Sequence, residues 1–172
     1  MAYAQDKTVL VVEDEPDVRL FLQTVLEDAG FNVLTAGDGE VAWEMIRNRR
    51  PDFISLDLIL PKKTGHRLLR DLRKDKELSR IPVLILTAHA DDELGRSGPE
   101  GVLDGFLAEG PGRFLRKPVS PIDYVRCVEE ALGLEENEAI EDRLAVRGEM
   151  ERLMRTASPE ALAAALSALK RS

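Results

Sequence analysis

The stretch DFISLDLIL, residues 52–60, holds an interior carboxylate within an otherwise apolar run. That carboxylate is Asp57, and its aliphatic neighbours are Ile54, Leu56, Leu58, Ile59 and Leu60. A buried carboxylate that lacks a partner costs several kcal/mol, so Asp57 needs either solvent or a partner group. A buried strand that ends at Asp57 meets this need, because the carboxylate then lies where the sheet opens.

Segments typical of strands and of helices alternate on both sides of this stretch. Five strands are predicted: TVLVVE (8–13), FNVLTA (31–36), DFISL (52–56), IPVLILT (81–87) and RFLRK (113–117). Helices are predicted for 15–30, for 39–50, from Thr64 or Gly65 onward, for an irregular or short piece within 91–112, and from the Ser120 cap to Gly133. In the helix of 39–50, the residues expected to face inward are Val41, Ala42, Met45 and Ile46.

The predicted strands are apolar on both faces, which is typical of a parallel sheet covered by helices on both sides. Right-handed crossovers between parallel strands leave few possible topologies. We therefore predict an α/β protein with a doubly wound, five-stranded parallel sheet in the flavodoxin-like order 2-1-3-4-5.

Charged and polar residues follow four neighbouring strands of this predicted sheet. Glu13 and Asp14 end the first strand, Asp57 the third, Thr87 the fourth and Lys117 the fifth. Ligands of such sheets bind outside the carboxyl ends of the strands, so these side chains should meet at one edge. Three clustered carboxylates repel each other and favour a hard cation such as Mg²⁺.

The same edge has the groups that phosphoryl transfer needs. Asp57 is a candidate nucleophile, because carboxylates form aspartyl-phosphate intermediates. Lys117 and Mg²⁺ would stabilise the charge of a phosphoryl group, and Thr87 would hydrogen-bond one of its oxygens.

Residues 6–133 resemble the receiver domain of two-component response regulators. The resemblance rests on VLVVEDEP, DFISLDLILPKKTG, LILTA and FLRKP, which occur in this order and end successive strands. It implies that Asp57 is the phosphoacceptor, Thr87 the switch hydroxyl, Phe114 the switch aromatic and Lys117 the invariant lysine. It also implies a metal site formed by Glu13, Asp14, Asp57 and the backbone carbonyl of Ile59, and a cis bond between Lys117 and Pro118.

Some features depart from the family pattern. The acidic pair is Glu-Asp, where Asp-Asp is commoner, and the stretch 91–112 is long and holds six glycines and two prolines. In the family this region contributes to the output surface, so the route of signalling stays open here. Phe114 is also expected to pack as a core residue.

Bulk composition excludes several classes of protein. The net charge of −8 and the pI of about 4.9 argue against a general nucleic-acid-binding surface. A single cysteine, Cys127, forms neither a disulfide framework nor a zinc site, and we expect it to pack as a small hydrophobe. No run approaches the roughly 18 apolar residues of a membrane span, and the first residues lack a signal pattern. We expect a cytoplasmic protein.

Residues 134–172 are predicted to form a helical extension rather than a recognisable output domain. Two amphipathic helices are expected, the second beginning at Ser158 and Pro159. Eight acidic and six basic residues argue against direct DNA binding, and the absence of histidine excludes a phosphotransfer module. The apolar faces of these helices would cover the receiver domain, a second copy of the chain or an external partner, and we favour packing on the receiver or a homodimer.

Together these features predict a phosphorylation-dependent signalling switch. A sensor histidine kinase or a phosphotransfer protein would donate the phosphoryl group, and the protein would catalyse its own phosphorylation and slow dephosphorylation without being a classical enzyme. One alternative is an interaction module with a receiver fold that does not use phosphorylation. A second, a haloacid-dehalogenase-like phosphatase, is disfavoured because Ile59 stands where that chemistry needs a second aspartate.

Overall fold

A computed structural model describes residues 3–88, 112–134, 142, 144–149 and 152. The chain divides into two compact units, residues 1–136 and 137–172. The sheet and the helices that cover it belong to the first unit.

The first unit is built on a five-stranded parallel sheet in the order β2-β1-β3-β4-β5. The strands are β1 (Thr8–Val12), β2 (Asn32–Ala36), β3 (Phe53–Asp57), β4 (Val83–Thr87) and β5 (Gly112–Arg116). The predicted fold class and strand order are therefore confirmed. The register pairs Val12 with Leu56 and Asp57 with Leu86, so the carboxyl ends of the three central strands lie side by side.

Among the described residues of this unit, four helices connect or follow the strands: α1 (Pro16–Asp28), α2 (Gly39–Arg49), α3 (Gly65–Lys74) and α4 (Pro121–Leu132). Short 3-10 turns occupy Ala4–Asp6 and Leu78–Arg80. The helix ends follow local chemistry. The Asp38 side chain accepts hydrogen bonds from two amides of the first turn of α2, and Gly133 ends α4 with a left-handed φ of 64°.

The central strands of the sheet are buried on both faces: four of the five residues of β1 are buried, and so is every residue of β3. On one face, a core cluster joins the sheet to α2 and α3; it includes Leu10, Val12, Ile54, Leu56, Ala42, Ile46, Leu68 and Leu69. The alternate strand residues Val11 and Phe53 are equally buried on the opposite face. Helices α1 and α4 contact each other, and the fully buried ring of Tyr124 lies on α4.

Two predicted core positions are wrong. Val41 is 37% exposed, because it lies at the edge of the apolar stripe formed by Ala42 and Ile46. Phe114 is 48% exposed. It lies on β5, which among the described strands is an edge strand paired with β4, and it stands opposite Ile85.

Several predictions fall outside the described residues. These are the helix within 91–112 and most of the two helices expected after residue 134. Residues 142, 144–149 and 152 are described, and they are helical. Within the described ranges, none of the helices combines the length and the apolar character needed to cross a bilayer.

Candidate functional site

Three carboxylates meet where β1 and β3 end. Glu13, Asp14 and Asp57 each offer an oxygen, and these oxygens all lie within 4.8 Å of one another. Glu13 is fully buried, Asp57 is only 7% exposed, and Asp14 faces solvent. The parallel register explains why these carboxylates are close: Val12 of β1 pairs with Leu56 of β3, so the two strands end at the same level of the sheet.

Lys117 is the cation of this cluster. Its Nζ donates hydrogen bonds to Glu13 Oε2 at 2.7 Å and to Asp57 Oδ2 at 3.0 Å. The residue directly follows β5, and the Lys117–Pro118 peptide bond is cis. The lysine thus joins the ends of strands that are distant in the sequence.

The electrostatics of the cluster favour a further positive charge. Burial raises the pKa of Glu13, and the charge of Asp57 adds to that effect, while the hydrogen bond from Lys117 opposes it. Burial alone would lower the pKa of Lys117, but its hydrogen bonds to Glu13 and Asp57 outweigh that cost and raise it. Lys117 pairs with Glu13 and Asp57, the two buried carboxylates, and the cluster also holds the exposed carboxylate of Asp14.

The segment after Asp57, the β3–α3 loop of residues 58–64, is held against the carboxylate. The backbone N–H of Ile59 donates to Asp57 Oδ1 at 2.9 Å, and the N–H of Gly65 donates to the carbonyl of Leu58 at 3.1 Å. A Cβ at Gly65 would lie 2.6 Å from Leu58 Cα and 2.7 Å from the Asp57 carbonyl. Only glycine allows α3 to begin this close to the site.

Arg19 supports the acidic pair from α1, and sequence reasoning missed it. Its Nη1 donates to the backbone carbonyls of Glu13 at 2.8 Å and of Asp14 at 3.2 Å. An arginine this near the N-terminus of a helix opposes the helix dipole. That mismatch was the available signal that Arg19 has another role.

Two buried hydroxyls lie in the core near the carboxylates. Ser55 precedes Asp57 on the same face of β3, and Tyr124 lies on α4; both are almost inaccessible to solvent. Burial raises the pKa of Tyr124, with the neighbouring Ser55 acting against the shift and Glu13 adding to it. Within the described part of the chain, neither hydroxyl makes a hydrogen bond of regular geometry.

The structure thus brings four of the predicted site residues together: Glu13, Asp14, Asp57 and Lys117. The backbone of Ile59 contacts the same cluster, while its side chain is 62% exposed. Thr87 ends β4 beside Asp57's strand, but its side chain lies outside the described part of the structure. Phe114 lies within β5, short of the strand end that leads to Lys117.

Comparison with known proteins agrees with this geometry. Residues 9–125 match the sequence model of the response regulator receiver domain. The chain belongs to the response regulator receiver family.

Curated relatives of this receiver chain include transcriptional regulators. It is 33% identical over 126 residues to the phosphate regulon transcriptional regulatory protein PhoB of Pseudomonas aeruginosa, a match that covers 73% of this chain and 52% of that protein. It is 39% identical over 116 residues to the alkaline phosphatase synthesis transcriptional regulatory protein PhoP of Bacillus subtilis, covering 67% and 44%. The chain therefore spans about half the length of the curated relatives it matches.

Solved receiver structures share the fold. A response regulator of unestablished function from Chloroflexus aurantiacus is 31% identical, with a TM-score of 0.63, over 74% of this chain and 98% of that one. The receiver domain of a sensor histidine kinase from Pseudomonas aeruginosa is 27% identical, with the same TM-score and the same coverage. That structure was solved with a magnesium ion in its active-site cleft.

Proposed function

We propose that this receiver is a phosphorylation-dependent switch of a two-component phosphorelay, and that Asp57 accepts the phosphoryl group. The observation that carries the proposal is the placement of Asp57. Its carboxylate ends a fully buried strand, contacts Lys117 at 3.0 Å and lies in a cluster with two further acids. A side chain placed only for stability would not gather like charges in this way.

The donor would be a phosphohistidine of a sensor histidine kinase or of a phosphotransfer protein. An oxygen of Asp57 attacks the phosphorus, a P–O bond forms, and the P–N bond to the imidazole breaks with its electron pair returning to the ring nitrogen. Lys117 can stabilise the charge on the transferred group, because its ammonium already reaches the attacked carboxylate. Hydrolysis of the acyl phosphate by water would then reset the switch.

The donor set fits a hard divalent cation. Three carboxylates offer oxygens within 4.8 Å of one another, one of them exposed, so a cation that keeps several waters can enter. We assign the site to Glu13, Asp14, Asp57 and the backbone carbonyl of Ile59. When bound, Mg²⁺ would neutralise the acidic cluster and the charge of the phosphoryl group.

Beyond the site, we propose that Thr87 and Phe114 pass the change of charge to the surface that signals. The exposure of Phe114 is compatible with a ring that changes position, since its strand lies at the edge of the sheet formed by the described residues. We assign the receiver domain to residues 6–133, the helical extension to 134–172, and the site of action to the cytoplasm, where the donor domains of histidine kinases lie.

The test is covalent phosphorylation by a small donor. Wild-type protein is incubated with acetyl phosphate and Mg²⁺, and its intact mass is measured beside those of Asp57→Asn and of Asp17→Asn, an exposed carboxylate of α1. Wild type and Asp17→Asn should gain one phosphate and Asp57→Asn none. A wild type that gains no phosphate would instead support the interaction-module alternative, and a gain that persists in Asp57→Asn would place the phosphoryl group elsewhere.

A further inference from the structure

Lys63 lies on the β3–α3 loop. The side chain of a lysine on a loop is normally solvated, but that of Lys63 is largely buried between other side chains. Its side chain is only 11% exposed. The ammonium lies 4.2 Å from the centre of the Trp43 ring and 2.6 Å from Asp71 Oδ2. Since Trp43 belongs to α2 and Asp71 to α3, Lys63 links the loop to both helices.

Trp43 and Asp71 both stabilise the positive charge of the Lys63 ammonium. The face of an indole ring attracts a cation, and this attraction grows as water is excluded. The hydrogen bond from Lys63 lowers the pKa of Asp71, because the ammonium stabilises the ionised carboxylate. Trp43 is itself partly buried and packs against the hydrophobic core, so the ring that contacts Lys63 is held in place.

The loop backbone is fixed at the same position. A Cβ at Gly39 would lie 1.9 Å from the Lys63 carbonyl, so the loop rests directly on the first turn of α2. The neighbouring Lys62 also reaches α2, through Asp38 at 2.8 Å, but its side chain is 57% exposed. Solvent-exposed ion pairs contribute little, so Lys62 provides a natural comparison.

This loop carries backbone groups of the candidate site. Near the start of the loop, the Ile59 amide donates to Asp57 Oδ1; just after its end, the amide of Gly65, the first residue of α3, donates to the Leu58 carbonyl. Lys63 lies between these two contacts. A loop released at Lys63 could shift as a unit and would take the Ile59 backbone with it.

We propose that Lys63, clamped between Trp43 and Asp71, is a positioning residue that holds the Ile59 backbone and the Asp57 carboxylate in the geometry required for cation binding and phosphoryl acceptance. This inference rests on the proposed function of the site. Lys63 does not touch the reacting atoms, and it acts through the loop. With this role for Lys63, the candidate site also depends on α2 and α3, although neither helix contributes a carboxylate to the acidic cluster.

The test compares Lys63→Met with Lys62→Met, which lose the same charge from adjacent positions. In metal-free protein, hydrogen exchange at the Ile59 and Gly65 amides should accelerate in Lys63→Met and stay near wild type in Lys62→Met. The Mg²⁺ dissociation constant, measured by calorimetry, should rise about tenfold in Lys63→Met, as for partners that orient metal ligands. Phosphorylation by acetyl phosphate should slow at subsaturating Mg²⁺.

Asp71→Asn provides a second variant if Lys63→Met folds poorly. It leaves the lysine stem on the Trp43 ring and removes only the carboxylate charge, and it should move the same readouts in the same direction. Equal Mg²⁺ affinity and equal amide exchange in wild type, Lys63→Met and Asp71→Asn would overturn the inference, as would a Lys62→Met effect as large as that of Lys63→Met. If wild type itself neither binds Mg²⁺ nor accepts a phosphoryl group, the proposed function fails, whereas the exchange data still decide whether Lys63 holds the loop.

Discussion

At the scale of the residue, the burial of Glu13 costs the fold stability and places a carboxylate in the candidate metal site. Its carboxylate is fully buried and lies beside Asp57, a second acid, with Lys117 as its cationic partner. Removing a carboxylate from water is costly, and attraction to one ammonium offsets only part of that cost. The arrangement makes sense if the cluster is built to receive another positive charge.

This cost predicts a specific dependence of stability on pH. The pKa of Glu13 is raised above its ordinary value of 4.5, chiefly by burial, so the folded state binds this proton more tightly than the unfolded state. The stability linked to that proton is present below pH 4.5 and is lost as the pH rises through the raised pKa. In metal-free protein, the free energy of unfolding of wild type should therefore fall relative to that of Glu13→Gln as the pH rises.

Urea denaturation at a series of pH values measures this difference. Comparison with Glu13→Gln isolates the one group from the other carboxylates, and Glu44→Gln, at an exposed position of α2, should follow wild type. The prediction fails if the difference in free energy of unfolding between wild type and Glu13→Gln stays constant as the pH rises, or grows in favour of wild type. Either result would show that burial does not raise the pKa of Glu13.

At the scale of the element, the start of α3 is packed against the end of β3. Glycine at the start of a helix is usually replaceable by alanine with some gain in stability. Gly65 should behave in the opposite way, because its Cβ would approach backbone atoms of Asp57 and Leu58 that cannot move aside easily. We expect Gly65→Ala to destabilise the fold by about 1–3 kcal/mol, the cost of overpacking.

Chemical denaturation of Gly65→Ala beside Gly37→Ala tests this packing. At Gly37 the nearest atom is the end of the flexible Arg19 side chain, at 3.3 Å, so that variant should lose much less stability. If Gly65→Ala is as stable as wild type, the β3–α3 connection is looser than the structure indicates and the close packing beside Asp57 is not needed.

Sequence patterns were sufficient for the elements that are apolar throughout. The short apolar run containing Ile54 and Leu56 predicted a buried strand because strands and helices alternate around it, and the caps at Ser120 and Gly133 marked α4 because each has a local chemical signature. Exposure at the edge of a sheet has no such signature, so the sequence pattern around Phe114 predicts a core residue where the structure has an exposed one. The roles of Arg19 and Lys63 depend on tertiary partners, and no local pattern identifies those.

At the scale of the whole molecule, the sheet order assembles the site. Glu13 and Lys117 are separated by 104 positions in the sequence, yet the order β2-β1-β3-β4-β5 brings them within 2.7 Å. The four clustered residues could be predicted from the sequence because one topological rule places the carboxyl ends of parallel strands together. The helical extension of 134–172, and its packing on the receiver or its pairing in a homodimer, stays a prediction.

The central claim is that this edge of the sheet makes Asp57 a phosphoryl acceptor. The most direct measurement is reduction of the phosphorylated protein with borohydride, which converts an aspartyl phosphate to homoserine, followed by peptide mass spectrometry. We expect homoserine at position 57, dependent on Mg²⁺ during phosphorylation, with Glu13 and Asp14 unmodified. Conversion at either of those residues, or no conversion at position 57 in protein that has gained a phosphate, would contradict it.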